Sequence, residues 1–332
     1  MRIVESVGKA ALVVLVAGAL ALAVTPASAA DWKPSKPITI LVGFSVGGSM
    51  DTAARLQGAF MSKVLGVPVV IRNVPGAGGR NAITILNRSK PDGYTIGGVG
   101  FPGQAVNQAV RGLEPDLRTF TWIGRQVSNP YYMQSTKAAG KKHWTSLKQM
   151  KAAKQPIKSG ITGTGGNMFA ISVLSAKMVG YPIDLIPGFK GPELIAGIIR
   201  GDFAFTNLPL VTRWTTAVDS GEANAVAVYL PKRHPKFPNI PTGVEQGFPE
   251  LGSPTLVGHT LYALPPKTPP EIASVLEAAL AKANNDAKTN EKIEASGSIV
   301  APLSVEECSK LVADMLALVE ANAPLLKKYI KN

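Results

Sequence analysis

The sequence predicts an α/β protein of two lobes, and three observations carry that reading. Short β-branched runs alternate with helical stretches along most of the chain. Three glycine turns, at 47–48, 76–79 and 163–166, each stand between an expected strand and an expected helix. The chain has 332 residues, of which about 300 follow an export segment, a length that usually divides in two. With 33 glycines and only 6% aromatic residues, the composition favours tight α/β packing over a β-sandwich.

The amino terminus carries Arg2 and Lys9, the 15-residue apolar run Ala10–Val24, and the small-x-small sequence Ala27-Ser28-Ala29. This is the pattern of a signal peptide over 1–29. The run is shorter than the roughly 20 apolar residues of a spanning helix, and Pro26 follows it closely. Beyond it remain 33 Lys and Arg against 21 Asp and Glu, a formal charge of +12. The densest basic groups, Lys137–Lys158 and Lys232–Lys236, lack the interleaved aromatics on which single strands stack, so no nucleic-acid partner is expected and the basic surface is read as solvated. Cys308 is the one cysteine, which leaves the apolar core to hold the fold without an intrachain disulfide.

After a linker over 31–37 come a strand at 38–43, a helix at 51–65 with Ala53, Ala54, Leu56, Phe60, Met61 and Val64 on one face, and a strand at 67–71. Pro75-Gly76-Ala77-Gly78-Gly79 opens a helix over 80–89, and Pro91-Asp92-Gly93 turns into a strand over 94–99. The middle repeats the scheme: helix 145–152, strand 157–161, the loop Gly163-Thr164-Gly165-Gly166, helix 167–179, strand 183–186, helix 191–199, strand 202–206, helix 209–219 and strand 223–229. Such alternation argues for parallel βαβ units. Proline-rich stretches at 231–241 and 265–270 interrupt it, and amphipathic helices over 270–287 and 304–329 close the chain.

A glycine turn lets the backbone approach a ligand, and the helix behind it offers unpaired amides at the positive end of its dipole. That makes an anion seat. Each of the three turns is followed by a small polar residue, Ser49, Asn81 or Asn167, which favours a binding role. Dinucleotide cofactors are excluded by spacing: Gly76-x-Gly78-Gly79-x-Asn81 lacks the third glycine, and Gly163-x-Gly165 runs on to Met168. No Walker lysine-serine pair is present, and no cofactor is expected. His143, His234 and His259 have no acid at metal spacing, and no strand end is read as a nucleophile elbow, so neither metal ligands nor catalytic residues are expected.

The stretches "SKPITILVGFSVGGSMD" (35–51), "GVPVVIRNVPGAGG" (66–79), "KPDGYTIGG" (90–98), "GITGTGGN" (160–167), "RGDFAF" (200–205) and "HPKFPNIPTGVEQGFPE" (234–250) resemble, in order, the solute-binding proteins of tripartite tricarboxylate transporters, the Bug family. The resemblance implies a two-lobed periplasmic binding protein fold of type II-like build, each lobe a mostly parallel sheet flanked by helices, with a hinged cleft between 30–130 plus 255–332 and 131–254. It implies a monomeric, non-enzymatic periplasmic receptor that holds a small organic acid, mono- or dicarboxylate, and passes it to membrane permease subunits. A sensory module presenting the acid to a signalling partner, or a periplasmic hydrolase or isomerase, is the alternative. The family's loops fall on Phe44, Ser45, Gly47, Gly48 and Ser49, on Gly163, Thr164, Gly165, Gly166 and Asn167, and on Thr206 and Asn207, with Gly78 and Arg80 at the second glycine turn. Departures from the family pattern stand at Val46, Arg80, Met168-Phe169 and Thr206. Arg80 is read either as a surface residue at a helix start or as the partner of a second carboxylate. Asp51, two residues after an expected Ser49 N-cap, is read as a structural acid in the first helical turn.

Overall fold

The structure, a computed structural model, describes residues 32–330, and the expected signal peptide lies outside the described residues. The first half runs β1 (Ile38–Val42), α1 (Ser49–Leu65), β2 (Val69–Asn73), α2 (Arg80–Arg88), β3 (Thr95–Phe101), α3 (Gly103–Arg111) and β4 (Thr121–Asn129). Pro130 alone then separates β4 from β5 (Tyr131–Thr136), which enters a second sheet. There follow α4 (Leu147–Lys151), β6 (Ile157–Gly160), α5 (Asn167–Val179), β7 (Ile183–Ile186), α6 (Gly191–Arg200), β8 (Phe205–Pro209), α7 (Thr216–Asp219) and β9 (Ala223–Val228). The chain returns through β10 (Gly258–Leu264) and ends in α8 (Pro270–Asn284), α9 (Ala287–Ala295), β11 (Ile299–Leu303), α10 (Val305–Ala321) and α11 (Ala323–Lys328).

The strands form a six-stranded sheet in the order β11-β4-β10-β3-β1-β2 and a five-stranded sheet in the order β7-β6-β8-β5-β9. Within each sheet four strands run one way; β10 and β11 oppose the rest of the first sheet, and β5 opposes the rest of the second. The opposing strands β5 and β10 follow the two crossings between sheets. At the crossing Gly258 pairs with Asn129, so both passages run side by side.

Local chemistry accounts for the element ends. α1 stops at Gly66, whose φ of 72° lets its N–H return to the Ser62 carbonyl, a bend that a side chain would resist. α10 starts in a capping box, the Ser304 hydroxyl accepting from the Glu307 amide and the Glu307 carboxylate from the Ser304 amide. α5 is buried along nearly its whole length from Met168 to Ala176, as a helix apolar on all sides must be. It packs between the sheets, with the Lys177 ammonium 2.6 Å from the Asn322 side-chain oxygen and Asn167 bonded to Gly103. The buried core is continuous from Leu41, Val99 and Phe101 of the first sheet through Tyr132, Phe169 and Leu174 to Phe205 of the second.

Candidate functional site

Where the two sheets meet, a cavity of about 370 Å³ opens, and three helices begin at its wall. α1 contributes Ser49 and Met50, α5 contributes Asn167 and Met168, and α6 contributes Gly191, Pro192 and Leu194. The amides of Ser49, Met50, Asn167, Met168 and Gly191 are first-turn groups at the positive dipole end, whereas Pro192 has no N–H and the Leu194 amide is given to the Lys190 carbonyl. Three such ends around one space create a field suited to an anion.

The first turn is held in shape by Asp51. Its buried carboxylate accepts from the Gly47 amide at 2.7 Å, from Asn73 Nδ2 at 2.9 Å and from Arg55, while the same Asn73 NH2 reaches the Phe44 carbonyl. Burial alone would raise this carboxyl; the bonds from Arg55, Gly47 and Asn73 outweigh it and hold the group below its ordinary value. The N-cap is Gly48 and not Ser49, which is the first helical residue, so Asp51 organises the turn by side-chain bonds more than by the dipole term expected of it. Phe44, Ser45, Gly48 and Ser49 line the cavity; Gly47 does not, since its amide is turned to Asp51.

The second expected loop divides in two. Gly166 and Asn167 line the cavity, whereas Gly163, Thr164 and Gly165 lie outside it. Arg111 of α3 donates to the Thr164 carbonyl and, at 3.3 Å, to its hydroxyl. Gly78 abuts Gly165 and Gly166 so closely that a β-carbon on it would stand 2.7 Å from their backbone atoms. Gly78 thus joins the two sides and does not face the cavity. Arg80 is also placed outside: its guanidinium donates to the carbonyls of Arg111 and Gly112, both at 3.1 Å, and so caps the C-terminal end of α3.

Thr206 and Asn207 are fully buried within the second sheet. The Thr206 hydroxyl donates to the Gly160 carbonyl, and the Asn207 side chain is taken up by Ser172 and Tyr229. The strand expected over 202–206 lies three residues later, so Leu208 and Pro209 reach the cavity in their place.

The crossing strands supply polar groups that the sequence reading did not select. Asn129 accepts from Ser298 through its oxygen at 2.8 Å, which leaves its NH2 as the donor for the cavity it lines. Tyr131 and Thr260 line the same wall. Burial raises the Tyr131 phenol well above its ordinary range, opposed by a bond with Asn167, so it is a neutral hydrogen-bonding group. The remaining walls, Phe44, Val46, Met50, Met168, Leu194, Leu208 and Trp214 among them, are apolar. Lys190, just before α6, is the cation on the lining among the described side chains.

Gly43-Phe44-Ser45-Val46-Gly47 does satisfy the Gly-x-Ser-x-Gly spacing behind β1, contrary to the reading that no strand end carries it. The geometry is not that of a nucleophile elbow, because Ser45 is absent from the non-glycine residues of positive φ, which are Ala77 and Lys267. None of the histidines lines the cavity. His259 is buried with its Nδ1 2.8 Å from Arg125 and its Nε2 3.1 Å from the Pro254 carbonyl; burial and then the Arg125 cation push its pKa down to about 4. His234 accepts the Lys236 amide, and His143 meets the Ala138 carbonyl on the surface. Among the described residues no group of three or more His, Cys, Asp or Glu is placed to hold a metal ion.

Residues 53–328 match the model of the tripartite tricarboxylate transporter family receptor. The chain belongs to that family. A relative from Agrobacterium vitis, the UPF0065 protein in the TAR-I ttuE-ttuC' intergenic region, is 30% identical over 314 residues, covering 90% of this chain and 87% of its own. The solved structure of an R. palustris protein with adipate is similar at a TM-score of 0.77 and 24% identity, over 89% of this chain and 98% of that one. MatC from Rhodopseudomonas palustris with bound malate is similar at 0.75 and 23%, over 88% and 99%. This receptor therefore has the periplasmic binding protein fold, and it belongs with solute-binding proteins.

Proposed function

We propose that the receptor captures a small organic acid in this cavity outside the cytoplasm and delivers it to membrane permease subunits, without transforming it. The observation that carries the reading is the convergence of three helix starts on one cavity. One carboxylate would sit against the amides of 49–50 and 167–168, with Asn129, Tyr131 and Thr260 as side-chain partners. The apolar walls then face a carbon spacer, and Lys190 stands where a second carboxylate can reach it, which favours a diacid with a methylene or aromatic middle. The structures with malate and adipate support this choice of ligand class. The placement of His143, His234 and His259 away from the cavity that Ser45 lines supports binding without catalysis.

Residues 30–130 with 255–332 would move as one lobe and 131–254 as the other, bending at the paired crossing of Asn129 and Gly258. The leader 1–29 would be removed on export to the periplasm. A thermal-shift series over adipate, malate and hexanoate tests the reading: a ligand at 100 times its Kd should stabilise the receptor by about 2.7 kcal/mol. Shifts by sugars or amines with none by any carboxylate would overturn it.

A further inference from the structure

The strands that carry the acid cavity at one end carry a different surface at the other. β5 begins at Tyr131, on the cavity, and runs away from it to Thr136; β6 and β8 run the opposite way, so that their first residues lie at this far pole. There a second cavity of about 500 Å³ is lined by Thr136 and Ile157 from the strands, by Ala204 just before β8, and by Lys141, Lys142, Lys154 and Lys158. At about 3.3 Å per residue the strands hold the two cavities roughly 15–20 Å apart.

The charge at this pole is one-sided. No Asp or Glu occurs between Asp116 and Asp184, while seven lysines stand between 137 and 158. All seven are exposed, and none forms an ion pair among the described residues. Asp202, the acid on the lining, is already bound to Arg200 at 2.5 Å. The far helices differ: Lys288 and Lys292 alternate there with Glu291 and Glu294.

We infer that this lysine pole binds the surface of an anionic phospholipid bilayer, which would tether the receptor while its acid cavity stays clear. The residue type fits such a partner. Seven flexible lysines, with no arginine in that segment, offer separate point charges for many headgroups in place of one planar fork for a single carboxylate. Four of these lysines, Lys141, Lys142, Lys154 and Lys158, line the concavity. Trp144 is buried beneath Lys142, whose ammonium lies 4.0 Å from its ring centre, so it is covered and does not insert among acyl chains. Contact is thus electrostatic and reversed by salt. The inference depends on the export reading for its setting and not on the identity of the acid.

Co-sedimentation of the mature chain with phosphatidylcholine vesicles, with and without about one-third phosphatidylglycerol, tests it. Binding is expected to the anionic vesicles alone and to fall at least tenfold when salt is raised from about 0.05 to 0.5 M, where the screening length shrinks to a few ångströms. The variant Lys141→Glu/Lys142→Glu/Lys154→Glu/Lys158→Glu should lose about tenfold or more. The equally charged control Lys288→Glu/Lys292→Glu/Lys327→Glu/Lys328→Glu should retain most binding, with circular dichroism confirming that both fold. No binding to anionic vesicles, equal loss in both variants, or binding only to vesicles that contain a permease would overturn the inference.

Discussion

The turn at 43–51 and the turn at 75–80 are built from the same materials. Each follows a strand of the parallel trio β2-β1-β3, carries adjacent glycines and leads into a helix. The first opens on the cavity, and a β-carbon at Gly48 would meet nothing nearer than the Ser45 carbonyl at 3.4 Å. The second is filled by its neighbours: Gly78 lies on Gly165 and Gly166, its carbonyl accepts from Gln104 at 2.8 Å, and Arg80 ties α2 to the end of α3. Local chemistry makes a turn able to bind an anion; the element packed against it decides whether the anion has room.

The largest expected effect separates the two turns directly. Gly78→Ala must hold an alanine at φ 66° and push two backbones apart, at a cost of about 2–4 kcal/mol in urea unfolding. Gly48→Ala, at φ −71°, should cost less than about 1 kcal/mol. Equal costs would mean that the second turn is as open as the first.

Next comes the scaffold of the first turn. Asp51→Asn removes the anion that Arg55 and the Gly47 amide bind, and should cost about 1–3 kcal/mol. Because the folded carboxyl lies below its ordinary value, its contribution is complete above about pH 4 and fades as pH falls through the lowered value. The variant should lack that acid-side loss; a parallel pH profile would place the titrating group elsewhere.

Lys190→Met is a smaller change and concerns ligand alone. Calorimetry should show adipate weakened by about 1–2 kcal/mol, the scale of a partly screened charged contact, with hexanoate unaffected. Smallest of all is Arg80→Asn. With its guanidinium on two helix-end carbonyls, it should lower stability by about 0.5–1.5 kcal/mol and leave acid affinity unchanged. A selective loss of diacid binding would return Arg80 to the site.

The sequence made the βα units readable wherever apolar runs were clean: the helix at 167–179 and the strand at 183–186 stand where expected. It concealed β4, β5, β10, β11 and α3. β5 and β10 are buried on both faces, so they show no alternation, and polar residues such as Gln134, His259 and Thr260 interrupt what would be their apolar runs. Those interruptions serve buried partners, Gln134 meeting Tyr132 and His259 meeting Arg125, or the cavity, which Thr260 lines with Asn129 and Tyr131, and so the three escaped notice. The helix expected over 209–219 is instead a tight turn at Thr212–Trp214 followed by the four-residue α7, and the turn brings Trp214 to the cavity. Lys190 resembled any lysine before a helix, and its place on the lining depends on where α6 is packed.

A crystal structure of the receptor grown with adipate tests the anion seat most directly. One carboxylate should lie about 2.7–3.2 Å from backbone amides within 49–50 and 167–168, with the chain between Met168, Leu194 and Trp214 and the other carboxylate towards Lys190. Adipate found instead against the 75–80 turn, or outside this cavity altogether, would contradict it.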